Sequence, residues 1–177
     1  MSFPGFSSPA AGPEAPLDML AACHTRVEKQ CLTLTRLQPH LAAHGTDGAA
    51  REAASAVMRY FDTAAKHHHE DEEQDLFPAL LESMAGSDAV CIRDLTQALR
   101  AEHRQLEACW SALRDKLEAI AEGEALTLDE DEVMGFVSAY RAHIAKEDSE
   151  LLPMAQRLLG EAALQAIGRA MRKRRGF

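Results

Sequence analysis

From Leu17 onward, positions that suit a core recur at intervals of three and four residues: Leu17, Leu20, His24, Val27, Cys31 and Leu34. That interval keeps one face of a 3.6-residue helix inward, and it predicts a first helix that ends or kinks near Pro39. A second line starts after Gly45, with Asp47 as its N-cap, and runs through Val57, Phe61, His68, Glu72 and Leu76 to Pro78, which is expected to bend or end it. The third, from about Asp88, carries Ile92, Leu95, Leu99, His103, Leu106, Trp110, Leu113, Leu117 and Ile120. The fourth opens on Asp129 and Glu132 at capping-box spacing. It follows Val133, Phe136, Tyr140, His143, Glu147, Leu151 and Met154, and Pro153 should end or kink it. Beyond Gly160, residues 161–172 suit a short fifth helix with Ala163, Ile167 and Ala170 on one side.

Four long helices with short connections pack as antiparallel neighbours, so the predicted fold class is all-α, an up-down four-helix bundle with a short C-terminal fifth helix. The chain of 177 residues suits one domain, and an aromatic content of 5% with abundant Ala and Leu disfavours a sandwich or barrel. Residues 1–16 hold four of the seven prolines and read as a flexible leader. Residues 17–159 form the bundle, and 160–177 the last helix and a basic tail.

The formal charge of −9 and the run Glu70, Asp71, Glu72, Glu73 and Asp75 argue against a nucleic-acid surface. The basic residues Arg169, Arg172, Lys173, Arg174 and Arg175 read as a solvated helix end whose cations suit the helix dipole, with a phosphate- or partner-binding tail as the alternative. The first basic residue is Arg26 and no apolar run approaches a membrane span, which predicts a cytoplasmic protein without membrane contact. Cys23, Cys31, Cys91 and Cys109 make no CxxC pair and are expected as small core residues.

One feature of the four lines is out of place in a core. Each contains a histidine where Leu or Ile is expected, and His68 and His143 are each followed four residues later by a glutamate. Burying such groups unpaired costs several kcal/mol for each ion, and metal ions would compensate all six together. The i,i+4 spacing puts His68 with Glu72, and His143 with Glu147, on one helix face about 6 Å apart along the axis. Four imidazoles and two carboxylates suit a pair of iron or manganese ions; thiolates are absent from the set, and calcium or magnesium is poorly matched to so many imidazoles. The candidate metal ligands are therefore His24, His68, Glu72, His103, His143 and Glu147.

The pattern also repeats. Phe61, His68, Glu72, Leu76 and Pro78 return 75 residues later as Phe136, His143, Glu147, Leu151 and Pro153, and His24 returns 79 residues later as His103. This points to a pseudo-symmetric site between two helical hairpins. In these segments, H…HxxxE…H…HxxxE over roughly residues 17–159, the chain resembles the hemerythrin-like, HHE cation-binding proteins. The resemblance implies a bundle of hemerythrin type and two non-haem iron ions bridged by carboxylates and a solvent-derived oxygen. It implies small partners: oxygen, nitric oxide, peroxide or iron itself. Neither a redox partner nor an oligomeric state is written in any motif.

The oxygen-carrying hemerythrins have a further histidine four residues after the one on the third helix; here that position is Glu107, and its counterpart on the first helix is Glu28. An extra carboxylate there would favour the ferric state over reversible oxygen carriage. The carriers end in HxxxxD, a spacing that Asp148 fits, but Glu147 is the repeat partner of Glu72. His69 with Glu73 offers a second register, and the repeat favours His68 with Glu72, leaving His69 beside the site either to hold a carboxylate or to line a pocket. His40 and His44 lie too far along the first helix to join. Tyr140 is a core residue or a wall of the ligand pocket. The functional expectation is a di-iron protein that binds or senses oxygen, reactive oxygen species or nitric oxide. The alternatives are a di-iron enzyme with peroxidase, catalase-like or nitric-oxide-reducing activity, or an iron storage or donation protein.

Overall fold

The computed structural model describes residues 15–83 and 89–177, and among them every regular element is helical. Helix α1 spans Pro16–His44, with Pro16 in the first turn, where a missing N–H goes unused. Of the expected leader, residues 1–14 lie outside the described residues, and Pro16 belongs to α1. Helix α2 comprises residues 48–82, α3 spans Ala89–Glu122, α4 comprises residues 130–158 and α5 spans Glu161–Arg174. The expected start of α3 at Asp88 falls outside the described residues.

The helix starts follow local chemistry. The Asp47 carboxylate accepts the Ala50 N–H at 2.9 Å, and the Asp129 carboxylate accepts the Glu132 N–H at 2.9 Å. Of the two outcomes expected at the prolines, an end or a kink, the end does not occur. Pro39 lies inside α1, which continues to His44 and stops at Gly45, whose φ of 69° suits glycine. Leu37 and Leu41 are buried on either side of the exposed Pro39, so packing carries the helix past one lost hydrogen bond. Pro78 and Pro153 do not end their helices either. Each follows a π turn, Glu72–Leu76 in α2 and Glu147–Leu151 in α4, and each turn is closed by an i→i+5 bond, from Phe77 N–H to Glu72 O and from Leu152 N–H to Glu147 O. A turn with one extra residue re-phases the helix so that side chains before and after it both face inward. A third π turn, Phe61–Ala65, precedes His68.

Helix α1 packs against α2 and α4, and α3 packs against the same two, while α5 lies across α1 and residues 66–76 of α2. The interior consists of two apolar clusters. One gathers Val27, Leu34, Phe61, Leu106, Phe136 and Tyr140; the other gathers Leu20, Leu76, Leu80, Leu99, Leu151 and Met171. Each of the four long helices contributes to both clusters and passes from one to the other at its histidine. The buried polar residues His24, His68, Glu72, His103, His143 and Glu147 thus separate two apolar halves.

Within the basic C-terminus Arg169 and Lys173 are exposed as expected, but Arg174 and Arg175 are not part of a solvated helix end. Asp71 is fully buried and is held by Arg174 and by Arg175, whose Nη2 lies 2.5 Å from Asp71 Oδ2, while Arg174 Nη2 reaches Asp75 Oδ2 at 2.8 Å. The acidic run of α2 needs this compensation where it enters the core, and α5 brings it. Replacing both arginines by alanine leaves a buried carboxylate uncompensated and is expected to cost on the order of 3–5 kcal/mol, read as a lower denaturation midpoint. An unchanged midpoint would show the pairs to be surface decoration.

Candidate metal centre

The six polar residues at the boundary between the clusters face one another from four helices. Glu72 Oε1 lies 3.6 Å from His68 Nε2, and Glu72 Oε2 lies 3.3 Å from His103 Nε2. Glu147 Oε2 lies 3.1 Å from His24 Nε2 and 4.0 Å from His68 Nε2; Glu147 Oε1 lies 2.9 Å from His143 Nε2 and 3.7 Å from His103 Nε2. Each carboxylate therefore turns one oxygen to the His24/His68 pair and the other to the His103/His143 pair. Two groups of donor atoms result, His24, His68, Glu72 and Glu147 in one and Glu72, His103, His143 and Glu147 in the other, with all atoms of a group within 4.8 Å of one another.

Outer carboxylates fix the imidazoles. His103 Nδ1–H donates to Glu73 Oε1 at 2.8 Å, His143 Nδ1–H to Glu102 Oε2 at 2.9 Å, and His24 Nδ1–H to Asp148 Oδ1 at 2.7 Å. An ionised carboxylate only accepts, so a proton sits on Nδ1, and once the imidazole gives up its other proton the Nε2 lone pair faces the core, the arrangement that prepares a histidine for a metal. Every holding acid is adjacent in sequence to one of the six residues yet grips a histidine of the next helix: α2 holds α3, α3 holds α4 and α4 holds α1. No acid of α1 completes the ring. Cys23 precedes His24 as Glu102 precedes His103, and the His68 Nδ1 that an acid there would hold has no partner.

Charge in the metal-free core is divided unequally. Burial opposes a proton on His24, but Glu147, Glu72 and Asp148 outweigh it and raise the pKa to about 9. Burial likewise opposes charge on His103, where Glu147, Glu72 and Glu73 raise it to about 10, and on His143, raised by Glu147 and Glu102. At His68 burial dominates and pushes the pKa down to about 3; at His69 it pushes it well below the ordinary value. Burial and the adjacent Glu147 raise Glu72 to about 8. Glu147, against the same desolvation, is kept well below the usual carboxylate range by His103, His143 and His24.

The donor set fits a metal cation. Both oxygens of Glu72 and of Glu147 are enclosed without a hydrogen-bond partner, as are the Nε2 atoms of His24, His103 and His143. Native interiors seldom leave so many polar atoms unpaired at one place. The short Glu147 distances lack hydrogen-bond alignment, and a cation between the groups would satisfy them together.

The structure sorts the remaining sequence candidates. Asp148 is half exposed and holds His24 from outside the layer, while Glu147 is fully buried within it. Glu28 and Glu107 are exposed, so the carboxylate expected beside the centre at Glu107 is instead on the rim of a cavity lined by His69 and Tyr140. His40 pairs with Asp47 near the start of α2, beyond the apolar cluster that lies on that side of the layer. Cys23 and Cys31 are buried as expected, but Cys91 and Cys109 are exposed. The holding roles of Glu73 and Glu102 were missed from sequence; their signal is an acid next to a core position. His69 holds no carboxylate. Its ring stacks on that of His103 at 4.0 Å, and its Nε2 is enclosed and unpartnered.

The model of the hemerythrin HHE cation-binding domain matches residues 15–155. A protein of Haemophilus influenzae described as uncharacterized is 32% identical over 160 residues, covering 90% of each chain.

Metal uptake must expel protons, because a metal-bound imidazole or carboxylate has given its proton up. At pH 7 the metal-free protein carries protons on His24, His103 and Glu72, whose pKa values of about 9, 10 and 8 lie above that pH. Affinity for a divalent ion is therefore expected to rise with pH from neutrality towards 10 and to fall in acid. Calorimetric titration in two buffers of different ionisation enthalpy measures the protons released; equal heats in both buffers would refute this.

Proposed function

The chain belongs to the hemerythrin HHE cation-binding family, and from that membership and its core chemistry we propose that it is a non-haem di-iron protein that binds or senses oxygen, reactive oxygen species or nitric oxide. One observation carries the reading: two fully buried carboxylates, each with one unpartnered oxygen towards either histidine pair. That is the disposition of bridging ligands. The metal ligands in this reading are His24, His68, Glu72, His103, His143 and Glu147. Imidazole with carboxylate, and no thiolate, favours iron over zinc–thiolate or oxygen-only cations.

An up-down order of the four long helices belongs to the same proposal. It is supported by the clusters: α1 and α3 run from the Leu20/Leu99 cluster towards the Leu34/Leu106 cluster, and α2 and α4 run back from Phe61 and Phe136 to Leu76 and Leu151. A cytoplasmic location is also proposed; no helix among the described residues is long and apolar enough to cross a membrane.

Iron at such a site supplies Lewis acidity and one-electron redox chemistry towards a diatomic molecule or peroxide. The chain does the rest. The two apolar clusters exclude water on either side, and Glu73, Glu102 and Asp148 keep the Nδ1 protons in place. With two carboxylates inside and three around them, the site is rich in negative charge. This favours the ferric state and argues against reversible oxygen carriage, a role that Glu107 no longer needs to fill.

Protein purified from iron-replete cells is expected to hold about two irons per chain, with both lost together in Glu147→Ala because that carboxylate faces both positions. In stopped-flow absorption the diferrous protein should convert once and rapidly with oxygen, nitric oxide or peroxide, without regaining its reduced spectrum under argon. Full recovery after oxygen removal would make it a carrier. Many turnovers with a reductant would make it an enzyme.

A further inference from the structure

We propose that Trp110 is a redox residue: it gives up one electron when peroxide oxidises the ferric centre, and a small one-electron reductant returns that electron to it. The inference rests on the di-iron reading above, and it holds for a sensor as for an enzyme. Trp110 is the single tryptophan of the chain, and Tyr60 and Tyr140 are its two tyrosines.

Aromatic rings join Trp110 to the histidine layer. Tyr140 lies one turn before His143 on α4, its ring 6.4 Å from that of His143 and 6.1 Å from that of His69. From Tyr140 two rings lead on, Phe61 at 5.4 Å and Phe136 at 5.1 Å. Trp110 closes both branches, 4.7 Å from Phe61 and 5.9 Å from Phe136. Four rings from three helices thus run in contact from the layer to a partly exposed indole, in short steps for an electron. Apolar packing accounts for the phenylalanines; it does not account for what holds Trp110.

Trp110 Nε1–H donates to Asp62 Oδ1 at 2.9 Å, and Arg114 Nε donates to Asp62 Oδ2 at 2.9 Å. Arg114 fixes the acid, so a carboxylate stands at the indole N–H. An electron leaving the indole leaves a cation, which the carboxylate stabilises and whose N–H proton has an acceptor at hand. The tyrosines lack this. Tyr140 is buried, and burial holds its hydroxyl proton well above the usual phenol range, whereas a phenol must lose that proton to remain oxidised. Tyr60 donates its hydroxyl to the neutral Cys23 carbonyl at 3.2 Å. Phe61, Leu106, Trp110 and Tyr140 also wall a cavity of about 390 Å³ with exposed Lys66 and Glu107 at its rim, which has room for a reductant such as ascorbate beside the indole. Reducing hydrogen peroxide to water breaks its O–O bond and takes two electrons and two protons. Starting from ferric iron, Trp110 supplies one electron and the reductant the other, solvent supplies the protons, and a second reductant molecule restores the indole.

The full-length, iron-loaded protein, produced with ring-deuterated tryptophan, is oxidised to the ferric state, mixed with hydrogen peroxide and freeze-quenched for electron paramagnetic resonance. A transient radical whose hyperfine lines narrow on deuteration is expected, lost in Trp110→Phe and quenched by ascorbate. If Trp110→Phe does not fold, the label in the wild-type protein decides alone. The metal-free protein supplies a second arm: photo-oxidation by a flash-quenched ruthenium complex should give a Trp110 radical that outlives the one in Asp62→Asn. Equal lifetimes would remove the role of the Asp62 charge and overturn the proposal, whatever the metal. In the iron-loaded protein, no protein radical, or one insensitive to the label, would overturn it and leave the di-iron reading intact. Wild type that takes up no iron would defeat the di-iron reading, and this inference with it.

Discussion

Everything in this fold is arranged around two carboxylates buried out of reach of bulk solvent. Glu72 and Glu147 are fully buried between two apolar clusters, where an ion costs several kcal/mol even after relaxation. Without metal the protein meets that cost with protons, keeping one on Glu72 and others on His24 and His103. With cations it would meet it by coordination. In both states the helices must remain in register, because sliding any one of them would replace a charge partner in the layer with a leucine from an adjoining cluster. The polar layer is thus a registration device as well as a site, in the sense that buried polar groups discriminate between alternative packings.

Around the inner pair the charges are layered. Imidazoles surround the core carboxylates, outer acids hold the imidazoles, and cations hold the outer acids: Arg100 on Glu73 at 2.9 Å, and Lys146 on Glu102. The Arg174 and Arg175 contacts to Asp71 apply the same rule one residue before Glu72, closing the acidic stretch of α2 beneath α5. The formal charge of −9 is therefore no diffuse surface property. Part of it is the outer half of a structure whose inner half demands cations.

Much of this was legible in the sequence, for a definite reason. A histidine in an apolar line at helical spacing is improbable unless something compensates it, so the convergence of the four helices at His24, His68, His103 and His143 could be read from intervals alone. The N-caps Asp47 and Asp129 were equally local and equally readable. What escaped depends on partners remote in sequence. Pro39, Pro78 and Pro153 read as places where a helix ends or kinks, and none ends its helix: the lost hydrogen bond is outweighed by buried neighbours on both sides or follows a π turn that re-phases the chain. The tail arginines were taken as solvated because Asp71 lies about a hundred residues away. Cys91 and Cys109 were assigned to the core by residue type, and on α3 they face outward.

The two halves of the chain repeat each other, but their agreement is incomplete in an ordered way. Glu73 and Asp148 occupy equivalent places and hold equivalent histidines, His103 and His24. Glu102 holds His143, yet its counterpart is Cys23, a buried thiol whose pKa burial raises, so it offers no anion to His68. His68 accordingly keeps an unpartnered Nδ1, and burial, unopposed by a holding acid, pushes its pKa to about 3. On one side both paired imidazoles are held by outer acids, with His69 stacked beside them; on the other, only His24 is held. A cation held in this layer would therefore meet two histidines fixed by outer acids on one side and one fixed histidine on the other. That difference comes from one single-residue departure, Cys23, in an otherwise two-fold pattern.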